Sequence, residues 1–185
     1  TKSRAQYLPL LAQSVAEDPT ADRNAYYYAR ELHFAGHSDQ ALAEFYRYLD
    51  LPTATWDAER SKAMRYLAQL EPEAAEKWLL KATAEAPHRR EPWVDLARHY
   101  HDQHSWRLCL AAAERALTIT EQPLEYLCEP DAWGSAPHDL AALAAWNLGL
   151  ADLAQLHGQA AVDIEPTEPR LITNLTHYKE TSHAL

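Results

Sequence analysis

Small apolar residues recur along the chain at a fixed stride. Ala29, Ala63 and Ala97 stand at i, i+34 and i+68, and Ala41, Ala75 and Cys109 repeat the series twelve positions later. Around them the apolar positions keep helical spacing. EPWVDLARHY (91–100) offers Trp93, Leu96, Ala97 and Tyr100 on one stripe, and CLAAAERALTI (109–119) offers Cys109, Ala113, Ala116 and Leu117. The pattern predicts antiparallel helix pairs that cross at small residues, where two backbones must approach closely. Helices are expected at 4–17, 22–35, 38–50, 57–69, 72–85, 91–102, 105–119, 138–149, 151–163 and 168–180.

A helix–turn–helix unit with a stride of about 34 residues resembles the tetratricopeptide repeat (TPR). The resemblance implies an all-α fold, a right-handed TPR-like α-solenoid of stacked antiparallel helix pairs, in a single domain over 1–185. RAQYLPLLAQSVAE reads as the second helix of a half repeat at 4–19, with Tyr7, Leu8, Leu11 and Val15 on one side. Full repeats follow at 22–51, 57–86, 91–120 and 138–165. In the last of these, Ala142, Ala154 and Ala161 stand at i+45 from Ala97, Cys109 and Ala116, so eleven residues are inserted. They fall in a loop at 121–137, whose three prolines and Gly134 exclude a long regular helix. A capping helix at 168–180 is expected to turn Leu171, Ile172, Leu175 and Tyr178 inward, covering the end of the stack. Gly36 and Gly149 both fall at the turn between paired helices.

Composition narrows the function classes. There are only 4 glycines, and no GxGxxG or P-loop pattern among them. A net charge of −10 argues against nucleic acid, whose phosphates demand clustered Lys and Arg. Cys109 and Cys128 are too few for a disulfide framework, and Cys109 occupies a small-residue packing position. LAALAAWNLGLADLA (140–154) contains Asn147, Gly149 and Asp152 and fails as a membrane span. No signal peptide precedes Tyr7, and a cytoplasmic location is expected. HYHDQH (99–104) sets His101 and His104 at i, i+3, but HExxH and CxxC are absent and a polar repeat turn explains the run. No metal, no cofactor and no catalytic residue is assigned, since a GxSxG elbow is also missing. Glu59, Arg60, Glu71 and Glu73 read as solvated helix faces. Tyr26, Tyr27 and Tyr28 cannot all face one core, because successive helical residues are about 100° apart.

In the TPR family the first helix of each repeat lines a concave groove. The 34-residue register places Arg23, Tyr26, Tyr27, Arg30, His33 and Phe34 there from repeat one, and Asp57, Arg60, Ser61, Met64 and Leu67 from repeat two. Repeat three adds Glu91, Val94, Asp95, Arg98 and His101, and repeat four Asp139, Leu140, Leu143, Trp146 and Asn147. The leading partner contacts are Tyr27, Arg30, Phe34, Arg60, Arg98 and Trp146, because Arg forks suit acidic groups and aromatics give rigid contact area. The expected partner is a protein or peptide segment with acidic and apolar groups. The competing surface is the 121–137 loop, through Tyr126 and Trp133. The carboxylate clamp of chaperone-binding TPR domains is broken by Asp57, Met64 and Asp95.

A narrower likeness runs through RNAYYYARELHFAGHSDQALAEFYRYLDLPTATWDAERSKAMRYLAQ (23–69), KWLLKATAEAPHRREPWVDLARHY (77–100), AAERALTIT (112–120), Pro123, Tyr126 and Trp133. These stretches resemble the helical tail of bacterial and phage family 2 glycosyltransferases, with REPWVDLA the most specific element. The likeness implies the accessory part of a transferase, positioning an acceptor or joining subunits in a homo-oligomer, with an attached catalytic domain as a further partner. No two aspartates in this chain are separated by a single residue, so the DxD metal motif of that domain is missing here and the isolated chain is expected to be noncatalytic. The alternative is a standalone adaptor that holds a peptide in its groove.

Overall fold

The computed structural model describes residues 7–181. Among the described residues there are eleven α-helices, one short 3-10 turn and no strand. Contacts group the chain into two compact units, Thr1–Ala86 and Pro87–Leu185, where the repeat register predicts one domain.

The first unit contains α1 (Leu8–Glu17), α2 (Asp22–Phe34), α3 (Ser38–Asp50), α4 (Asp57–Leu70) and α5 (Ala75–Glu85). Paired helices pack as α2 on α3 and α4 on α5, with α1 against α2. Ala29, Ala41 and Ala63 are fully buried at the crossings, as the stride requires. Tyr26, Phe45, Tyr48 and Leu67 fill the space around them, so of the three consecutive tyrosines only Tyr26 enters the core. The helix expected to begin at residue 4 starts outside the described residues. Within α1 no residue is fully buried: Leu8, Leu11 and Val15 are partly buried, and Tyr7, just before the helix, is exposed.

The second unit contains α6 (Arg90–Asp102), α7 (Trp106–Leu117), α8 (Pro130–Trp133), α9 (Ala136–Asn147), α10 (Ala151–Ile164) and α11 (Pro169–Thr181). α6 pairs with α7, α9 with α10, and α11 covers α10. Ala97, Cys109, Ala116, Ala142, Ala154 and Ala161 are all buried, so the longer step preserves the crossing geometry despite the insertion. The inserted loop is shorter than expected. α8 occupies its middle, and α9 already begins at Ala136, since Pro137 fits the first helical turn, where its missing N–H is not needed. In the capping helix Leu171, Leu175 and Tyr178 are buried, but Ile172 stays 43% exposed, one step round the helix from the covered stripe.

The turns are as regular as the crossings. Gly36 and Gly149 have φ of +80° and +73°, and His104 stands at the same register position with φ +55°. In all three turns the next residue donates its N–H back five residues: His37 to Leu32, Ser105 to Tyr100 and Leu150 to Ala145, at 2.8–3.0 Å. This is the Schellman helix end, which needs a left-handed residue; His tolerates that conformation at a cost that glycine avoids. Second helices stop differently. α1, α3, α5 and α10 each end two residues before a proline (Pro19, Pro52, Pro87, Pro166), which disfavours helical backbone in the residue preceding it.

Candidate functional site

Many residues assigned to the groove by register are packing residues. Tyr26, Ser61, Met64, Leu67, Glu91, Val94, Asp139 and Leu140 are buried, because an arc of five or six positions per helix is wider than the face left open. Glu59 is also buried and Glu71 half-covered, so they are not the solvated charges their residue types predict. Glu71 accepts from Tyr46 Oη at 2.8 Å and from Trp78 Nε1 at 2.7 Å.

Of the six leading contacts, three gather beside α1. Arg30 lies over the Tyr27 ring at 4.6 Å and pairs with Glu31 at 2.9 Å. Partial burial works against the Arg30 charge, and the Glu31 carboxylate more than offsets it, holding the pKa above its ordinary value. Tyr27, Arg30 and Glu31, with Tyr7 and Leu11 of α1, wall a cleft of about 390 Å³. Phe34 is 47% exposed and sits edge-on to Tyr66 at 5.9 Å. It opens onto a larger cleft of about 680 Å³, whose walls include Leu8 and Ala12 of α1, Tyr28, Leu32 and Ala35.

Arg60 has a different position. Its Nε reaches Glu85 at 2.6 Å, and Nη1 donates to the carbonyls of Leu49 at 3.0 Å and Ala54 at 3.1 Å. The guanidinium thus ties α4 to α5, to the last turn of α3 and to the turn that follows it. Arg98 and Trp146 belong to the second unit. Arg98 bonds Asp95 at 3.2 Å and Asp131 of α8, and Trp146 is half-buried against the Tyr178 ring at 5.2 Å.

The inserted loop is anchored by charges that the sequence pattern did not reveal as core. Glu91, 1% exposed, accepts from the Trp133 indole at 3.2 Å and from the backbone N–H of Glu129 at 3.1 Å. Buried Arg89 lies 3.4 Å from its other carboxylate oxygen and also pairs with Glu125. Arg90 donates to Ile119 O at 2.7 Å and covers the Trp133 ring at 4.3 Å. Trp133, expected to be exposed, is therefore part of the anchor. Leu124 and Tyr126 remain at the exposed tip.

The histidine run behaves as a turn. His101 bonds its neighbour Asp102 at 3.1 Å, and the rings of His101 and His104 pack on Trp106. No group of three or more His, Cys, Asp or Glu among the described residues could hold a metal. A second histidine pair was not predicted: His138 and His157 face one another Nδ1 to Nδ1 at 3.1 Å, with Glu114 at 3.8 Å from His157 Nε2. Cys109 and Cys128 are both free, and burial pushes the Cys109 thiol up to about 12. No described helix is long and apolar enough to cross a membrane.

The architecture matches known helical-repeat structures. YrrB, a TPR protein with an unusual peptide-binding site, superposes with a TM-score of 0.71 over 94% of this chain and 84% of its own, at 14% identity. The MamA protein gives 0.64 over 88% and 83%, at 16% identity. A thermophilic TPR protein of Thermus thermophilus, TTC0263, gives 0.55 over 95% and 90%, at 17% identity. No protein-family model and no curated protein sequence matches the chain. The fold is that of the TPR-like α-solenoid.

Proposed function

We propose that this chain is a noncatalytic interaction module that binds a peptide or protein segment through the faces flanking α1, with Tyr27, Arg30 and Phe34 as first contacts. The observation that carries the reading is the convergence of those three side chains on two adjoining clefts. A stacked Arg–Tyr pair presents a rigid, preformed cation, and apolar walls beside it give the contact area that binding needs. The likeness of the fold to a TPR protein with a peptide-binding site supports the same class of ligand. Arg60 is tied down by Glu85 and two carbonyls and has a structural role.

Displayed random peptides selected on the whole chain provide the test. Selected peptides should lose at least about tenfold in affinity for Tyr27→Ala and Arg30→Ala, with unchanged circular dichroism. If they instead lose affinity only for Tyr126→Ala, the loop is the contact surface and the reading fails.

The narrower reading, an accessory tail of a family 2 glycosyltransferase that joins cytoplasmic subunits, rests on the sequence likeness alone. What favours keeping it is that Arg89, Glu91 and Trp133, the buried anchor of the insertion, lie in the stretches that carry the likeness. A reading frame upstream of Thr1 that encodes no α/β domain with a DxD motif removes it. So does turnover of a sugar nucleotide by the isolated chain that survives a chelator, since the accessory half has no carboxylate pair to hold the leaving diphosphate.

A further inference from the structure

At the start of the second helix of each repeat the register sets Asp39, Glu73, Arg107 and Asp152. An acidic side chain there faces the partial positive charge of the helix N-terminus. Exposed Arg107 opposes that charge, and among the described residues it makes no hydrogen bond or ion pair in return. The turn of the following repeat departs as well. Its register positions hold Ala35, Gln69, Gln103 and Leu148, then His37, Glu71, Ser105 and Leu150, so two leucines stand where the earlier repeats are small or polar. Leu150 is 45% exposed.

Between repeats one and two this surface is closed: Tyr46 meets Trp78 at 5.5 Å, and Glu71 accepts from both. The counterparts in the second unit are Glu114, His157 and Leu150. They leave a groove of about 380 Å³ walled by Arg107, Leu110, Ala111, Glu114, Leu148 and Leu150. α7 forms one side and the α9–α10 turn the other, both within the second unit, while α11 packs on α10 at Gly158. Glu114 meets the His157 imidazole at 3.8 Å, and burial lowers the pKa of that ring, leaving it neutral at pH 7.

We propose that this groove docks an amphipathic helix of a partner protein along α7, with an acidic and a basic side chain seven residues apart and apolar side chains at the third and fourth positions between them. Arg107 and Glu114 are themselves i and i+7 on α7, about 10 Å apart along its axis, and a helix lying alongside matches that spacing at i and i+7. Leu110 and Ala111, at i+3 and i+4, form the apolar floor, with Leu148 and Leu150 across the groove. Two opposite charges that find no opposite charge within the chain supply the complementarity. The site is separate from the faces beside α1.

The probe is a fluorescein-labelled helical peptide of Ala and Gln bearing Glu, Leu, Leu and Lys at i, i+3, i+4 and i+7, made in both charge orders because a docked helix is parallel or antiparallel to α7. One control replaces the leucines with Gln, and a second replaces the Glu with Lys. Binding to the full chain is read by fluorescence anisotropy. The better charge order should bind saturably, at least about tenfold tighter than either control, and more weakly as salt rises. Arg107→Glu restores the residue type of the other repeats, so it should melt no lower than the parent, lose the acid–base peptide by about tenfold and gain the Lys–Lys control. Leu150→Glu, the residue of repeat two at an exposed position, should lose the leucine peptides without unfolding, which covers the case in which Arg107→Glu does not fold. Absence of saturable binding, equal affinity for the Gln control, or unimpaired binding to Arg107→Glu or Leu150→Glu overturns the proposal. Loss of binding in Arg30→Ala with full binding in Arg107→Glu overturns this site and leaves the faces beside α1 standing. Concentration-dependent dimers in sedimentation that vanish with Leu150→Glu also overturn it, since the occupant would then be a second copy.

Discussion

Glu91 is where a single substitution should matter most. Its carboxylate is 1% exposed and serves three partners: the Trp133 indole, the Glu129 amide and the Arg89 guanidinium. Glu91→Ala strips two part-buried donors of their acceptor, at about 1 kcal/mol each, and leaves Arg89 with Glu125 as its remaining carboxylate. Breaking one half of a buried ion pair typically costs about 3–5 kcal/mol, and because the three partners form one network the losses overlap. A total of about 3–5 kcal/mol is therefore expected. Glu91→Gln keeps an acceptor for Trp133 and Glu129 and loses only the charge, so about 1–2 kcal/mol is expected. Arg89→Leu with Glu91→Leu should cost less than the two single changes added together, since neither charge is then left uncompensated. Urea denaturation followed by tryptophan fluorescence gives the free energies, and limited proteolysis of 121–129 reports whether the loop has come loose. A loss below about 1 kcal/mol for Glu91→Ala, with the loop still protected, would mean that the anchor lies elsewhere.

Gly158→Ala should destabilise despite the better helix propensity of alanine: its Cβ would stand 2.8 Å and 3.1 Å from the buried Tyr178 ring, and overpacking of about 1–3 kcal/mol exceeds the propensity gain of about 1 kcal/mol. Melting at or above the parent temperature contradicts that. In Gly36→Ala nothing lies within 4 Å, so the loss, about 1 kcal/mol from φ +80° alone, should appear without any change in packing by methyl NMR. Iodoacetamide should modify Cys128 in the native chain and spare Cys109, whose thiol is buried and pushed up to about 12; mass spectrometry showing equal labelling refutes this. For the histidine pair, burial is the main cause lowering both pKa values from 6.5; the partner imidazole and Arg90 add to it at His138, and Glu114 opposes it at His157. A depressed histidine pKa means that the unfolded chain binds more protons once pH falls below about 6.5, so stability is lost with acid from there downward. The loss between pH 7 and 5 should be smaller in a His138→Gln, His157→Gln double variant, and parallel curves would show that the pair does not titrate with folding.

The parts of the fold legible in the sequence are those set by local geometry. Small residues at 29, 63 and 97 mark where helices cross, and a proline two residues past α1, α3, α5 and α10 marks where they stop; both act within a few residues of themselves. Glu59, Arg60 and Glu71 read as surface, and Glu91 as groove lining, because charge type alone predicts solvent. The partners of Arg60 and Glu91 lie too far along the chain for any periodicity to reveal, 25 residues from Arg60 to Glu85 and 42 from Glu91 to Trp133. His104 is hidden as the third turn residue because glycine is the usual mark of a left-handed position.

What the sequence offered for the candidate site was a helix face, and the register did not separate its open positions from its packed ones. Listing that face by residue type gathered Tyr27, Arg30 and Phe34, which stand beside α1, together with Arg60, which is tied to Glu85, and eight residues that pack inside. A repeat makes each position a control for its counterparts one repeat away, so chemistry should be sought where a position departs from them. Ala12 against Tyr46 is such a departure, and Ala12 lines an open cleft. Tyr27, Arg30 and the exposed Phe34 all border clefts beside α1, and that convergence of a guanidinium with aromatic rings is the physical reason to test those positions first.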